Sequence, residues 1–353
     1  MNFFTSWPEK LESIGIHVLG IVSAIRPKTY SKYCELTGDG VPAGLHYLVR
    51  NAGCRAGFES IMPGTQSIVC CGIAMPEFSQ AAPCRYARFC SLGDYHAVLK
   101  DKLQQIDHLL RQHYPIRHSR VCVDSAPVLE RELAVRAGIG HIGFNHMVIH
   151  PQYGSWLALG ELLIDVDLCG DADYLNYHVF PQDDKSLVPG GCHCCTAGHR
   201  LCVQSCPTGA LSDHGYDMNR CVSYWSTQHK GVIPEVYAMA MGNVLWGCDR
   251  CQLNCPKNTG PVITVQNSYA SPLYHLTLRD ILKSSGKALQ RMLEGSPLAD
   301  AHPCMVQRNA CIIIGNTGHT EVAGLLEEVA ESHHCDWVRE TAQQSIKRIH
   351  HEH

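Results

Sequence analysis

Two cysteine-rich runs carry the strongest chemical signal in the sequence. The first, CHCCTAGHRLCVQSCPTGA at residues 192–210, and the second, GCDRCQLNCPK at residues 247–257, each contain a cysteine followed by proline. Cysteines at CxxC and CxxxCP spacing are typical ligands of [4Fe-4S] clusters, and in two-cluster ferredoxins the cysteine before the proline binds the other cluster. The spacing therefore predicts two [4Fe-4S] clusters with crossed ligand sets.

The crossed pattern assigns four cysteines to each cluster. One set is Cys192, Cys195, Cys202 and Cys255, and the other is Cys206, Cys221, Cys248 and Cys251. Six residues separate Cys195 from Cys202, where the bacterial pattern has two, so a longer loop is expected there. Cys194 competes with Cys192 or Cys195, although Cys192 keeps the CxxC spacing. Zinc also binds CxxC pairs, but the CP endings favour iron and sulfide.

Composition sets the class of protein. A chain of 353 residues with 45% hydrophobic content can bury more than one core, which predicts two or three domains. Charged residues occupy the start, MNFFTSWPEK, and no apolar run approaches the roughly 20 residues that span a bilayer. We therefore expect a soluble, cytoplasmic protein with no membrane contact. There, 20 cysteines indicate metal ligation more than disulfides. A net charge of -4 excludes a general polyanion binder but leaves a local basic patch open.

Alternating strand and helix patterns precede the cysteine runs. The stretches GIHVLGIVSA and QSIVCCGIAM are typical of strands, and YHAVLKDKLQQIDHLLRQH places apolar residues on one helical face with Asp94 as its N-cap. After the second run, CMVQRNACIIIGN predicts a helix that stops at Gly-Asn. HTEVAGLLEEVAES and WVRETAQQSIKRI predict two more helices. The elements predict an α/β domain before the clusters and helices after them.

Several longer blocks occur together with these runs. They include RYARFCSLGDYHAVLKDKL, VDSAPVLERELAVRAGIGHIG, PQYGSWLALGELLID and GNVLWGCDRCQLNCP. In type and order they resemble the epoxyqueuosine reductases, cobalamin-dependent iron-sulfur enzymes related to the reductive dehalogenases. The resemblance implies an α+β protein in three parts. These are a nitroreductase-like cobalamin-binding α/β domain (1–185), a ferredoxin-like two-[4Fe-4S] module (186–261) and a C-terminal HEAT-like α-helical repeat (262–353).

The resemblance also implies roles for individual residues. Asp124 in VDSAPVLER becomes the proton donor, and we expect partial burial to raise its pKa so that it stays protonated. Without the resemblance, a cap or a salt-bridge partner is the simpler interpretation. Cobalamin is expected base-off, without His96 as a cobalt ligand. The implied cofactor contacts are Arg55, Cys90, Asp124, Arg131, Asn145, Val148, Leu159, Asp249 and Arg250. For Cys90, Val148 and Leu159, core packing is an equally good interpretation.

The resemblance predicts a substrate and partners as well. Substrate would be epoxyqueuosine at the wobble position of a transfer RNA anticodon stem-loop, and electrons would come from an external ferredoxin or flavodoxin to a monomeric enzyme. Three departures weaken the RNA part: GHIGFN replaces GWIGKN, Asp300 to His302 replace basic residues, and GHRL extends the first run. Basic residues left for phosphate contacts are Lys283, Lys287, Arg291, Arg308, Lys347 and Arg348. The alternatives are a corrinoid reductase of a small molecule and a ferredoxin-like electron carrier.

Overall fold

The structure is a computed structural model. It describes residues 3–38, 40–77, 84–180, 187, 200–260, 271–318 and 320–351. The strands are β1 (Val18–Ser23), β2 (Ser67–Ala74), β3 (Arg85–Tyr86), β4 (Ser119–Cys122), β5 (His141–Ile142), β6 (Val148–Ile149), β7 (Leu157–Ile164), β8 (Leu211–Ser212), β9 (Gly215–Tyr216) and β10 (Val244–Trp246).

Helices occur throughout the described chain and dominate its C-terminal part. They are α1 (Phe3–Ile14), α2 (Tyr30–Leu36), α3 (His46–Arg50), α4 (Tyr95–Arg111), α5 (Glu130–Arg136), α6 (Ala172–Leu175), α7 (Leu201–Gln204), α8 (Val222–Thr227), α9 (Glu235–Met241), α10 (Arg250–Leu253), α11 (Leu278–Lys283), α12 (Gly286–Leu293), α13 (Pro303–Thr317), α14 (Thr320–Ser332) and α15 (Asp336–His351).

An antiparallel sheet in the order β1-β2-β7-β4 forms the centre of the α/β part. Apolar side chains alternate along β7, because successive residues of a strand point to opposite faces. Ala158 and Leu162 join the core that contains α1 and α4, whereas Leu157 and Leu163 join the core under α5. The sheet is therefore covered on both faces, and the predictions of strands at β1 and β2 are confirmed.

Helix α4 begins where its sequence predicts. The Asp94 side chain accepts a hydrogen bond from the His96 backbone N–H, so Asp94 is the N-cap. Five of the predicted apolar positions are buried against the sheet, and Leu109 is partly buried beside them. The cap fixes Tyr95 and His96 in the first turn of the helix, at the edge of the sheet.

The C-terminal helices share a core with the strands β3 and β10, which pair in parallel. Helix α13 lies at the centre of this core, and Cys304 to Gly315 are all buried within it. The predicted stop at Gly315-Asn316 is wrong, because α13 runs to Thr317 and ends on Gly318 in the left-handed conformation. Gly315 instead allows close approach of α15, since an added Cβ would lie 2.7 Å from the Ser345 Cβ.

The helices of the described residues include no candidate for a membrane span. None of these helices combines the length and the apolar character that a membrane span requires.

Candidate functional site

Asp124 lies on the loop that joins β4 to α5. Its φ of +49° is in the left-handed region, which an aspartate tolerates better than most residues. Its backbone N–H donates to the Glu130 Oε1 over 2.8 Å, which ties the loop to the first residue of α5. The side chain is 62% exposed. The loop thus presents a carboxylate outward while Glu130 holds its backbone.

Two side chains from the first turn of α4 reach that carboxylate. Tyr95 Oη donates to Asp124 Oδ2 over 3.2 Å, and His96 Nε2 lies 3.2 Å from the same oxygen. The other ring nitrogen, His96 Nδ1, lies 2.8 Å from Asp94 Oδ1. The rings of Tyr95 and His96 are stacked with centroids 4.0 Å apart. An aspartate-histidine-aspartate chain therefore runs from the helix cap to the loop.

The pKa of Asp124 differs from the value expected from the sequence. The hydrogen bond from His96 lowers the pKa of Asp124 below its ordinary value, against the opposing effect of burial. The same hydrogen bond raises the pKa of His96, and a second hydrogen bond, which His96 donates to Asp94, adds to the rise. The predicted rise in the pKa of Asp124 is therefore wrong, because the imidazole stabilises the ionised carboxylate. The hydrogen bond therefore favours a proton on His96 and a negative charge on Asp124.

Several predicted cofactor contacts lie around this loop. Arg55 stands with its guanidinium 5.2 Å from the Tyr33 ring, and its charge acts on Glu130. Arg131 follows Glu130 in α5 and donates to the His146 carbonyl oxygen over 2.7 Å. These two arginines and Asp124 therefore lie in one region, around Glu130.

Other predicted contacts are engaged in the fold. Cys90 is fully buried and Val148 is 5% exposed, so neither presents appreciable surface for a ligand in this structure. Leu159 is a partly buried member of the core under α5. The guanidinium of Arg250 donates to the Ala240 and Met241 carbonyl oxygens. Asp249 accepts from the Arg88 backbone N–H and from Gln252, while burial raises its pKa to about 6.

Asn145 offers the best test of whether these residues fit a large polar cofactor. Its Oδ1 accepts from the Met147 N–H over 3.2 Å, but its buried Nδ2 has no hydrogen-bond partner among the described residues. A buried donor without a partner is unfavourable unless a ligand or water satisfies it. Corrin rings carry amide side chains with carbonyl acceptors, so the donor fits the predicted group.

The predicted cluster cysteines are only partly covered by the structure. Cys192 and Cys195, together with the competing Cys194, lie outside the described residues. Cys221 and Cys248 both act electrostatically on Cys251, and Cys202 acts on it as well. Cys255 is buried near Phe144 and Ile149. Among the described residues, no three histidine, cysteine or acidic side chains are placed to hold a single metal ion.

Cys206 has the surroundings of a thiolate ligand. Its Sγ accepts from the Leu211 N–H over 3.5 Å and lies 3.8 Å from Thr208 Oγ1. Burial opposes ionisation, but these donors together lower the pKa of Cys206 below its ordinary value. Backbone N–H groups aimed at sulfur are also among the features that tune cluster potentials. The donor set therefore fits an iron-sulfur ligand.

Two of the sequence departures contact each other. Phe144 stands where the resemblance expects lysine, and Arg200 belongs to the extended first run. The Arg200 guanidinium carbon lies 4.1 Å from the centroid of the Phe144 ring. A cation-π contact of this kind holds an arginine over an aromatic face. The extension thus places an arginine close to the position where the lysine is missing, but its guanidinium is already paired with Asp213.

Basic residues in the helical part are less available than the sequence suggests. Arg308 is fully buried, and Arg348 is 9% exposed with its guanidinium on Glu235. Lys283 pairs with Glu328. The prediction of phosphate contacts by Arg308 and Arg348 is therefore wrong, because both side chains are buried and their guanidinium groups are bonded to other residues of the protein. Lys287, Arg291 and Lys347 are exposed.

Sequence reasoning missed three residues that the structure gathers at Asp124. From the sequence, His96 is considered only as a cobalt ligand and Tyr95 is not singled out, although their place after a helix cap indicates a fixed orientation. Glu130 was missed because it reads as an ordinary first-turn acid. Burial, then the negative charge of Asp124, raise its pKa to about 7. Its signal is its spacing of six residues from Asp124.

Family models match both halves of this site. One described as a 4Fe-4S double cluster binding domain matches residues 191–258, which favours iron-sulfur clusters over zinc. Another, described as epoxyqueuosine reductase QueG, DUF1730, matches residues 55–125 and so includes Arg55, Tyr95, His96 and Asp124.

Curated relatives and solved structures agree with these matches. The epoxyqueuosine reductase of Aliivibrio fischeri is 32% identical over 80% of this chain and 74% of its own. That of Escherichia coli is 31% identical over 77% and 70%. A solved epoxyqueuosine reductase has a TM-score of 0.77 at 26% identity, with 99% of this chain and 91% of that one covered. Another, with an epoxyqueuosine-modified tRNA stem loop, has a TM-score of 0.79 at 24% identity, over 99% and 91%.

Proposed function

Because the chain belongs to the epoxyqueuosine reductase family, we propose that it reduces epoxyqueuosine in transfer RNA to queuosine. The observation that carries this proposal is the carboxylate of Asp124, held by Tyr95 and His96 on an exposed loop. Opening an epoxide requires a proton at the departing oxygen, and the hydrogen-bonded side chains of Asp124 and His96 can hold one. A Bacillus subtilis relative has a structure in which its aspartate-bearing catalytic loop is swung out of the active site.

The cofactors follow from the donor sets. When bound, cobalamin and the two clusters would supply the low-potential electrons for the reduction. Arg131 and Asn145 would hold the corrin, and the eight cysteines assigned above, Cys221 among them, would hold the clusters. Tyr216 supports a short path between them, since its hydroxyl bonds to Cys221 while Arg131 and Cys251 both act on it. We therefore propose that the cluster of Cys206, Cys221, Cys248 and Cys251 would be the one nearer to the corrin.

The acid in this proposal is a pair of residues. His96 holds the proton at Nε2, Tyr95 fixes the second side of the carboxylate, and Asp124 passes the proton to the epoxide oxygen. Asp94 keeps the imidazole oriented through Nδ1, as a carboxylate does for many catalytic histidines. Because His96 returns a proton to Asp124 directly in this proposal, Asp124 does not need a raised pKa of its own.

The organisation of the chain is part of the same proposal. We place a nitroreductase-like cobalamin domain at 1–185, a ferredoxin-like module at 186–261 and a HEAT-like repeat at 262–353. The antiparallel sheet between helices and the packed α13, α14 and α15 support the first and last assignments. A cytoplasmic monomer would receive its electrons from a ferredoxin or a flavodoxin.

Nucleoside analysis of transfer RNA tests the function. A strain that lacks the gene should accumulate epoxyqueuosine, and expression of the wild-type chain should convert it to queuosine. Expression of Asp124→Asn should leave the epoxide in place. Normal queuosine in the deletion strain would contradict the proposal, and it would favour a corrinoid reductase of a small molecule. The burial of Arg308 and Arg348 is the one observation on the side of that alternative.

A further inference from the structure

Ser155, two residues before β7, is bonded to the segment that contains the second cysteine run. Its backbone N–H donates to Asn258 Oδ1 over 2.7 Å, and its hydroxyl donates to Gln252 Oε1 over 2.9 Å. The Asn258 amide donates to the Ser155 hydroxyl oxygen over 2.9 Å and to the Gln252 carbonyl oxygen over 2.7 Å. Ser155 is 1% exposed and Gln252 is 9% exposed. The three side chains therefore form a closed and largely buried hydrogen-bond network.

Two glycines allow the backbones to approach each other at this network. Gly154 has a φ of +59°, and an added Cβ would lie 2.0 Å from Asn258 Oδ1. Two residues after Asn258, an added Cβ on Gly260 would lie 2.2 Å from the Gln152 carbonyl oxygen. A side chain at either glycine would force the two segments apart. The segments are therefore in direct backbone contact.

The same segment is also bonded at its other end. The Arg88 backbone N–H donates to Asp249 Oδ2, and Gln252 Nε2 donates to Asp249 Oδ1 over 2.9 Å. The Arg88 guanidinium carbon lies 4.5 Å from the centroid of the Trp156 ring. Since Trp156 follows Ser155 in the chain, the two parts that anchor the segment also contact each other.

Residues 249–258 contain a ligand of each proposed cluster. Cys251 belongs to the cluster that is proposed to lie nearer to the corrin, and Cys255 belongs to the other. On the opposite side of the network, Ser155 leads into β7 of the sheet that would hold cobalamin. Replacing buried polar partners by apolar groups of the same shape can be nearly neutral for stability, whereas a fully bonded network specifies one arrangement. The network is therefore better suited to positioning than to stability.

Resting on the proposed function, we propose that Ser155, Gln252 and Asn258 are positioning residues for electron transfer. They hold the ligand-bearing segment against the start of β7 and so fix the separation between the clusters and the corrin. In each transfer one electron leaves a cluster and reduces the cobalt, and the ferredoxin or flavodoxin replaces it. None of the three residues needs to touch a cofactor, because they act through the cysteines between them.

The contact can be tested without turnover. Hydrogen exchange of the cluster-loaded protein, measured without cobalamin, reports on the Ser155 N–H. Asn258→Ala removes the acceptor of that group, so the peptide that contains Ser155 should exchange faster. Asn316→Ala is the matched control, since the Asn316 amide also donates to two carbonyl oxygens, and it should leave that peptide unchanged. Unchanged exchange in Asn258→Ala would overturn the holding role.

The rate of electron transfer tests the positioning. A light-activated deazaflavin reduces the clusters of the loaded protein, and the absorbance of the corrin then follows the arrival of the electron. Asn258→Ala should lower this rate by at least about tenfold, because small displacements change rates steeply. Ser155→Ala keeps the backbone bond and should lower the rate less, and the double variant should be no slower than Asn258→Ala. Asn316→Ala should match the wild type.

Gly154→Ala approaches the same contact without removing a polar group. It should also slow the transfer, since its Cβ would displace Asn258. Wild-type rates in Asn258→Ala and Gly154→Ala would overturn the positioning role alone. A slower rate that only follows a loss of iron in all of these variants would overturn it too, because that is the behaviour of a contact for stability. A wild-type protein that transfers electrons rapidly but leaves epoxyqueuosine unchanged would instead overturn the proposed function.

Discussion

Two charged residues in this molecule, Asp124 and Arg308, are treated in opposite ways by the fold. Arg308 in α13 has no exposed surface, and its guanidinium donates to the Trp225, His229 and Gly231 carbonyl oxygens and to Asn309. Asp124 keeps 62% of its side chain exposed, and its Oδ2 lies 3.2 Å from His96 Nε2. Arg308 has every donor satisfied, whereas Asp124 keeps free capacity.

This difference distinguishes a residue that stabilises the fold from one that takes part in the reaction. Burial lowers the pKa of Arg308 to about 9, yet it is still cationic at neutral pH and ties α13 to the segment that follows α8. Its charge is fully used by internal acceptors. The carboxylate of Asp124 is held by its backbone and by two donors, but solvent and ligands can still reach it. Stability should depend on the first residue and turnover on the second.

The largest effect is expected at Asp124. Asp124→Asn keeps the size of the side chain but removes the group that passes the proton, so turnover should fall by about two or more decades. Cluster content and cobalamin binding should match the wild type, as measured by iron analysis and by the absorbance of bound corrin. Turnover close to that of the wild type would remove Asp124 from the reaction and break the comparison.

Arg308 should behave in the reverse manner. Arg308→Leu leaves three partly buried carbonyl groups without their donor, each at about 1 to 3 kcal/mol, so the free energy of unfolding should fall by about 3 kcal/mol or more. Urea unfolding followed by circular dichroism measures this change. Arg291→Leu, an exposed arginine of α12, should change it by less than about 0.5 kcal/mol. The folded fraction of Arg308→Leu should keep normal turnover per cluster-loaded molecule, and a specific loss of RNA binding there would contradict the structural role.

Local patterns made part of this architecture predictable from sequence. The β-like runs at β1 and β2, the amphipathic α4 and its Asp94 cap depend on neighbouring residues, and the structure has all of them. The end of α13 was not predictable in this way. Gly315 reads as a helix stop, but close packing against Ser345 favours a helix that continues.

Contacts between distant segments explain why part of the site could not be predicted from the sequence. His96 and Asp124 are 28 positions apart, so the hydrogen bond that lowers the pKa of Asp124 has no local signal. Arg308 reads as one more surface cation, because nothing beside it shows that carbonyl groups about 80 positions earlier surround it.

The exposed cations of α12 can be compared with the buried Arg308 as contacts for RNA. If transfer RNA phosphates contact Lys287 and Arg291, the double change to glutamate should weaken binding by roughly tenfold. It should also reduce the salt slope by about two, one for each lost phosphate contact. Fluorescence anisotropy with a labelled stem-loop at several salt concentrations measures both. The same charge change at Lys100 and Arg117, which are also exposed, is the control. Deleting the helices instead would remove α13 from the core.

Replacing His96 should produce the smallest of these effects, a change in how the free energy of unfolding depends on pH. Its pKa is raised in the folded state, so its contribution is complete below the unfolded value of about 6.5 and is lost as pH rises through the folded value. The pKa of Asp124 is lowered, so its contribution is present above about 3.9 and is lost as pH falls through the folded value. The hydrogen-bonded ion pair is therefore complete between about pH 4 and 6.5.

His96→Gln should therefore lower the free energy of unfolding most near pH 5.5 and least near pH 9. Because both side chains are more than a third exposed, the difference should stay below about 1 kcal/mol. Urea titrations at the two pH values measure it. His108→Gln, at an exposed position in the same helix, should leave the pH dependence of wild type in place. A His96→Gln effect that is equal at both pH values would show that no proton is shared with Asp124. In that case Asp124 would need another source for the proton it passes on.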